Sequence, residues 1–265
     1  MRKIAIAFLA VGLAAVPVSS ALATTLLSES FTYPDGNLVG NGGWANYSGA
    51  TFDIQVATGA ASGFGPNAND DHLLWTPGQP AQPTTVPTYA CFKVRIPAVA
   101  GAPKPIYFAE LKDAGATLLV SRVYVLPITG GFTFGISNTS TNATTNGVTP
   151  WSASTLLYDT DYVIAIKYDP TIATSTLWVN PADELSPSVT NTTVAPPAAV
   201  AVQGFGLRQS ATASTLPPVP SYAGTDDWSF VVDDLSVGTS FADACGGATP
   251  THKTTWGELK SIYRH

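Results

Sequence analysis

The stretch DYVIAIKYDP, residues 161–170, decides the fold class of this 265-residue chain. From Tyr162 to Tyr168 an apolar or aromatic side chain stands at every second position, and Asp169-Pro170 ends the run. Successive side chains of a β-strand point to opposite faces of its sheet, so this alternation predicts a strand with one buried face.

Similar runs recur along most of the chain, at the roughly ten-residue spacing typical of all-β domains. They cover residues 51–57, 88–96, 106–111, 118–126, 132–136, 174–179, 200–207 and 228–237, with Gly, Pro, Asn and Asp between them. No helical-period run of useful length appears between residues 24 and 245. The pattern predicts an all-β protein, an antiparallel sandwich or barrel.

The first residues have the features of a secretion signal peptide. Arg2 and Lys3 precede an apolar run over residues 4–16, and Ala21-Leu22-Ala23 follows. This order predicts a signal peptide over residues 1–23, cleaved after Ala23. The apolar run is shorter than the about 20 residues that span a bilayer, and no later stretch is apolar enough. We therefore expect a mature chain with no membrane span, secreted or held at the cell surface.

The charge balance excludes one class of partner. The chain has 12 Lys and Arg against 18 Asp and Glu, a formal net charge of −6, and only 11% of its residues are charged. Binding to nucleic acid needs a basic surface, so we expect no nucleic-acid partner.

The chain has two cysteines, Cys91 and Cys245. An exported protein can form a disulfide, and in the chain-entropy model a bridge closing so long a loop contributes about 5 kcal/mol. The alternative is a buried free thiol and an exposed one. The sequence does not distinguish a disulfide from two free thiols, because a bridge forms only if the fold brings the two residues close enough.

The last segment, residues 245–265, differs from the rest. A linker containing glycine and proline leads to Thr255-x-x-Glu258, which is a helix capping box. The apolar stripe that follows consists of Trp256, Leu259, Ile262 and Tyr263. We expect a short tail helix that packs on the sandwich, or recognises the cell envelope or another copy of the chain.

Several motifs, taken in order, carry a resemblance to a known family. They are residues 29–38 with Gly42-Gly43-Trp44, residues 106–111, residues 162–169 followed by 177–181, and residues 228–238. In this order they resemble the concanavalin A-like lectin/glucanase sandwich of secreted bacterial proteins. The resemblance implies a two-sheet jelly-roll over residues 24–244, with the first and last strands adjacent. It also implies lectins, carbohydrate-binding modules and glycanases as candidate functions.

A structural calcium site is one expectation from this resemblance. Glu29 and Asp233 each share a strand face with apolar neighbours, and the resemblance makes their strands adjacent. With Asp35 and Asp234 nearby, they form an oxygen-only ligand set that suits Ca²⁺. The alternative is that the carboxylates cap loop amides. A second oxygen-rich stretch, residues 67–72, is interpreted as a solvated turn.

Two tryptophans are candidates for carbohydrate binding. Trp75 precedes a Thr-Pro-Gly turn and Trp151 ends a polar run, so we expect both at exposed loop rims. Flat aromatic faces bind the apolar faces of pyranose rings, although packing in the core is the alternative for each.

No catalytic residues are assigned. The glucanases of the family carry carboxylates at alternate positions of one strand, whereas Glu110 and Asp113 stand three apart. The sequence therefore favours a non-catalytic module that binds carbohydrate or another extracellular surface. The alternatives are a structural or adhesive surface protein that assembles through its tail, and a polysaccharide-degrading hydrolase or lyase.

Overall fold

The computed structural model describes residues 24–49, 52–64, 69–75, 80–98, 106–138, 150–192, 199–209 and 229–246. The predicted signal peptide and the predicted tail helix with Trp256, Leu259, Ile262 and Tyr263 lie outside these ranges. Among the residues that are described, there is no helix with the length and apolar character needed to cross a membrane.

The described ranges form fifteen strands and one short helix. In chain order the strands are β1 (Thr25–Glu29), β2 (Gly36–Asn37), β3 (Ala45–Ser48), β4 (Gln55–Ala57), β5 (Ala60–Phe64), β6 (Asp70–Leu74), β7 (Thr88–Arg95), β8 (Ile106–Lys112), β9 (Leu119–Ile128), β10 (Gly131–Ser137), β11 (Asp161–Asp169), β12 (Thr174–Val179), β13 (Ser188–Asn191), β14 (Gly204–Arg208) and β15 (Ser229–Gly238). The helix is α1 (Phe241–Cys245).

The strands make two antiparallel sheets. Sheet A has the order β13-β12-β11-β7-β15-β5-β4-β2, and β1 also pairs with β15. Sheet B has the order β10-β9-β8-β14-β6-β3. The pairing of β1 with β15 joins the first and last strands, with Glu29 opposite Leu235. The predicted all-β class, the two-sheet sandwich and the adjacent end strands are confirmed.

Phenylalanines from both sheets form the centre of the core. Phe92 of sheet A lies 5.4 Å from Phe205 of sheet B, between ring centroids. Phe108 of sheet B lies 5.4 Å from Phe230 of sheet A and 6.0 Å from Phe134. All five are buried. Because burial of one such ring contributes about 1.5–3 kcal/mol, this cluster is a main attraction between the sheets.

Helix α1 was not predicted. It begins after Ser240, whose side chain accepts a hydrogen bond from the Asp243 amide, and it packs on the outer face of sheet A. Five residues carry too little periodicity for a helix to be recognised from sequence.

The interpretation of residues 67–72 as a solvated turn is wrong for its described part. Asp70, Asp71 and His72 begin β6, a strand inside sheet B, and all three are buried. Asp71 accepts a hydrogen bond from the Ile54 amide, which pairs this carboxylate inside the protein. The strand was missed because its polar side chains have partners that are distant in sequence.

We predict that Phe108→Ala lowers the free energy of unfolding by about 3–5 kcal/mol, because it leaves a cavity at a ring that contacts both sheets. Urea unfolding would measure the change. The control is Leu185→Ala, at a side chain that is 94% exposed, with an expected effect below about 0.5 kcal/mol. Equal effects of the two substitutions would contradict the assignment of Phe108 to the core.

Candidate functional site

The face of sheet B that points away from the core carries a cluster of polar and aromatic side chains, which we call the polar face. Its members are Tyr47 of β3, Asp70 and His72 of β6, Tyr107, Glu110 and Lys112 of β8, Arg122 and Tyr124 of β9, and Arg208 of β14. All except Tyr47 are buried. This concentration contrasts with a chain in which only 11% of the residues are charged.

The requirements of the fold do not explain the polar face. Its strands already supply core side chains on their other face, among them Phe108 and Phe205. The effective penalty for burying an ion is several kcal/mol, even after relaxation. Burial of several ionisable groups in one place, where packing does not need them, is characteristic of a functional site.

Irregular pairing in β8 gives this face its composition. The register of β8 against β9 shifts between Tyr107 and Ala109, and again between Ala109 and Leu111. In a regular strand Tyr107 and Glu110, three positions apart, would point to opposite faces. The irregularity brings both side chains to the polar face, as bulges near functional sites commonly do.

Glu110 of β8 and Tyr47 of β3 meet across strands β14 and β6. The Tyr47 hydroxyl donates a hydrogen bond to Oε1 of Glu110. The carboxylate lies over Gly206, where a Cβ atom would collide with Oε1, so glycine leaves the room for Glu110 to cross β14. Burial raises the pKa of Glu110, and burial followed by the Glu110 charge raises the pKa of Tyr47.

His72 is held by Lys112. The Lys112 ammonium Nζ lies 2.8 Å from Nδ1 of His72, donates to the carbonyl of Asp113 at 2.9 Å and donates to the carbonyl of Gly115. Burial, and then the Lys112 charge, lower the pKa of His72 to about 4. His72 is therefore neutral at pH 7, with Nδ1 accepting from Lys112 and the proton on Nε2. The imidazole also stacks on Tyr47, with 5.2 Å between ring centroids.

Arg208, Asp70 and Tyr107 form the third part of the polar face. Nε of Arg208 lies 3.6 Å from Oδ2 of Asp70, and the guanidinium lies 4.2 Å from the Tyr107 ring centroid. Arg122 lies on the same ring at 5.2 Å. Burial raises the pKa of Asp70 to about 8, although the Arg208 charge acts in the opposite direction. At neutral pH Asp70 is thus largely a protonated acid that can donate as well as accept.

Within this cluster, Oδ1 of Asp70, Oε2 of Glu110 and Nη1 of Arg208 are buried and have no hydrogen-bond partner among the described residues. A buried polar atom left unpaired costs about 1–3 kcal/mol. Acceptors and a donor close together would be paired by a ligand rich in hydroxyl groups, which both donate and accept.

An open cavity of about 880 Å³ reaches the polar face from the side of β1. Its lining includes Glu29, Tyr33, His72, Trp75 and Gln203. Small-molecule sites usually measure about 300–1,000 Å³. His72 belongs to both the cavity and the polar face, so the cavity connects the buried cluster with solvent.

The structure places the two predicted carbohydrate-binding tryptophans differently. Trp151 is half-buried, its ring lies over Gly135, and it contacts Tyr124 edge-on at 6.4 Å between centroids. It therefore borders the polar face. The expectation of an exposed rim position is wrong for Trp75, which is 3% exposed and belongs to the core cluster. Trp75 still lines the cavity, and its Nε1 has no partner among the described residues.

The predicted calcium ligands do not come together. Glu29 accepts hydrogen bonds from the Phe31 amide, the Tyr33 hydroxyl and the Trp44 indole, so the alternative of a capping carboxylate describes it. Asp35 accepts from the Thr58 amide, Asp233 from the Asp234 amide, and Asp234 pairs with Lys93. The part of the chain that the structure describes contains no group of three or more His, Cys, Asp and Glu side chains suited to a metal ion. Calcium binding itself stays a prediction.

We predict that the free energy of unfolding falls between pH 6.5 and 8. In the folded chain the pKa of Asp70 lies near 8, above its ordinary value of 3.8, so the folded state holds the proton more tightly and loses this advantage as the pH rises. One such group gives a slope of up to about 1.4 kcal/mol per pH unit. His72, with a pKa lowered from 6.5 to about 4, acts in the opposite direction only below this window.

Urea unfolding at several pH values would measure the slope. Asp70→Asn should make it shallower, and Asp35→Asn, at an exposed aspartate, should leave it unchanged. A stability that is constant or rises across this window, or the same slope in Asp70→Asn, would contradict the prediction.

Comparison with known proteins supports the fold. No protein-family model and no curated protein sequence matches the chain. Among solved structures, an endo-1,3-beta-glucanase from Streptomyces sioyaensis superposes with a TM-score of 0.52 at 12% identity, over 84% of this chain and 99% of the glucanase. An endo-beta-1,4-glucuronan lyase from the fungus Trichoderma reesei gives 0.47 at 12% identity, over 83% and 98%. With its two antiparallel sheets, the chain is a jelly-roll sandwich of the concanavalin A-like fold.

Proposed function

We propose that the protein binds a carbohydrate polymer at the polar face of sheet B. The proposal rests on buried atoms of Asp70, Glu110 and Arg208, in one cluster, that have no partner in the described part of the chain. The endo-1,3-beta-glucanase with the same fold makes carbohydrate the first ligand class to test. A secreted or cell-surface location, predicted from the first 23 residues, fits a polysaccharide ligand.

The chemistry of the polar face suits sugar rings. Arg208 offers donors, Glu110 offers an acceptor, and Asp70 offers either, which matches the dual character of sugar hydroxyls. The rings of Tyr47, at one edge, and Trp151, at the other, are both partly exposed. Aromatic rings supply apolar contact area and the polar groups fix orientation, the usual division in ligand sites.

The dimensions favour a polymer over a single sugar. Tyr47 lies on β3 and Trp151 lies against β10, the two outer strands of sheet B. Six strands spaced about 4.8 Å apart make the sheet about 24 Å wide, and the two rings lie on opposite sides of the polar face. A chain of several sugar units that crosses the strands would contact both rings.

We expect Arg208→Met and Tyr47→Phe each to weaken binding to the recognised polysaccharide by at least tenfold, since each removes a hydrogen-bonding group from the polar face. Affinity electrophoresis of the full chain through gels containing a panel of soluble neutral and acidic polysaccharides identifies the ligand and measures the loss. The matched controls are Arg95→Met and Tyr162→Phe, which remove the same groups outside the polar face. If the polysaccharide retards all four variants equally, the ligand binds outside the polar face. No retention of the unmodified protein by any polysaccharide would refute the proposal.

A polysaccharide-cleaving enzyme is the second candidate, and the opposed pKa shifts in the cluster favour it. His72 is kept neutral, with a pKa of about 4, while Glu110 and Asp70 have pKa values raised by burial. A neutral imidazole beside carboxyl groups with raised pKa values is an arrangement that general acid–base catalysis uses. In this candidate function, Nδ1 of His72 removes a proton once Lys112 releases it, and Glu110 or Asp70 donates one to the leaving oxygen.

If the protein cleaves the polysaccharide that it retains, His72→Asn and Glu110→Gln should each lower kcat at least a hundredfold. Release of reducing ends, together with the ultraviolet absorbance of unsaturated products, distinguishes hydrolysis from elimination. Trp151→Ala is the matched control, because loss of a binding ring at the edge should raise KM and leave kcat nearly unchanged. If the polysaccharide is bound but its chain length does not change, the enzyme hypothesis is wrong and the protein is a non-catalytic binding module.

A further inference from the structure

We propose that Cys91 and Cys245 form an intramolecular disulfide that fixes helix α1 to the outer face of sheet A. They are the only two cysteines of the chain and stand far apart in sequence. The fold brings both into one apolar cluster, where they are free thiols in this structure. Cys245 packs against the cluster that contains Cys91, and the neighbouring Cys91 thiol raises the pKa of Cys245. The fold therefore brings the only two cysteines of the chain together, as a disulfide requires.

Sheet A leaves room for Cys245 directly over Cys91. Cys91 lies in β7, and its neighbours across the two adjacent strands are Ala165 of β11 and Ser236 of β15. Because both neighbours are small, the outer face has a depression at Cys91. Ala244 of α1 is fully buried in the same cluster, and Cys245 packs against it.

Helix α1 is positioned by contacts that do not need the bridge. The Phe241 ring lies 5.8 Å from Trp178 and 6.4 Å from Tyr89, edge-on to each between centroids. The Ser240 hydroxyl donates to Oδ2 of Asp243 at 2.7 Å and accepts from the Asp243 amide at 3.1 Å. These contacts hold the last residue of the helix at Cys91 before any covalent bond forms.

The bond would form by thiol–disulfide exchange with a small external disulfide such as oxidised glutathione. The partly exposed Cys245, as the thiolate, attacks one sulfur of the reagent, forms a mixed disulfide and releases one glutathione thiolate. Cys91 then loses its proton, attacks the Cys245 sulfur and releases the second glutathione. The two protein thiols lose two protons and two electrons, and oxidised glutathione is reduced to two molecules of glutathione. The nearby Cys91 thiol and burial raise the pKa of Cys245, so exchange should be faster at higher pH.

Oxidation of the full chain tests the proposal. After purification under reducing conditions, the protein is equilibrated with mixtures of oxidised and reduced glutathione, quenched with acid and alkylated in denaturant. We expect mass spectrometry to show both cysteines protected and the intact mass lower by two hydrogen atoms. We also expect the melting temperature of the oxidised monomer to exceed that of the reduced protein by about 5–15 °C, because the bridge restricts the unfolded chain.

Single substitutions supply the matched controls. Cys91→Ser should carry glutathione on Cys245 and show no rise in melting temperature on oxidation, and Cys245→Ser should show neither the bridge nor the rise. Comparison of the unmodified protein with and without reductant keeps the test valid if a variant folds poorly. Two cysteines that remain alkylatable after oxidation, or that form only glutathione adducts or intermolecular dimers, would overturn the proposal.

Discussion

The free-energy cost of removing ionisable groups from water is the constraint on which sheet B depends. The sheet offsets part of this cost by pairing buried groups with one another within the polar face. Tyr47 donates to Glu110, Lys112 distributes its protons between two backbone carbonyls and His72, and the Arg208 guanidinium lies between Asp70 and Tyr107. Where pairing is incomplete, burial raises the pKa values of Asp70 and Glu110 and lowers that of His72. The result is a cluster fixed in place before a ligand arrives, which is the property that binding and catalysis both require.

Sheet A makes a contrasting use of charge. Its ion pairs are Lys93 with Asp234, Arg95 with Asp161 and Lys167 with Glu184, and each includes at least one exposed side chain. Exposed pairs contribute about 0–1 kcal/mol each. The buried part of the outer face of this sheet is apolar and is covered by α1. The two sheets therefore use charge differently, with exposed ion pairs around an apolar patch on sheet A and buried ionisable groups on sheet B.

A structural feature could be predicted from the sequence when the residues that determine it are close together in the chain. Alternation identified the longer strands, such as β7, β11 and β12, because the period of two is a local property. It missed β6, because Asp70, Asp71 and His72 resemble a turn until Arg208, Ile54 and Lys112 are brought beside them. The same limit applied to Glu29: its burial was predictable, but its hydrogen bonds from Tyr33 and Trp44 depend on loop geometry. One local signal was overlooked, since Glu110-x-Lys112 and Arg122-x-Tyr124 place polar side chains at alternate positions within otherwise apolar strands.

Ligand binding at the polar face should be visible in the imidazole signals of His72, which lies at the end of the polar face that opens to the cavity. The chain has three histidines, so comparison with His72→Gln assigns the ¹H–¹⁵N imidazole signals without ambiguity. The full chain is then titrated with a soluble oligosaccharide of the polysaccharide that it retains. We expect the His72 signals to move in step with saturation and to keep the pattern of a neutral ring protonated at Nε2. Saturation that leaves the His72 signals unmoved would show that the ligand does not bind at the polar face.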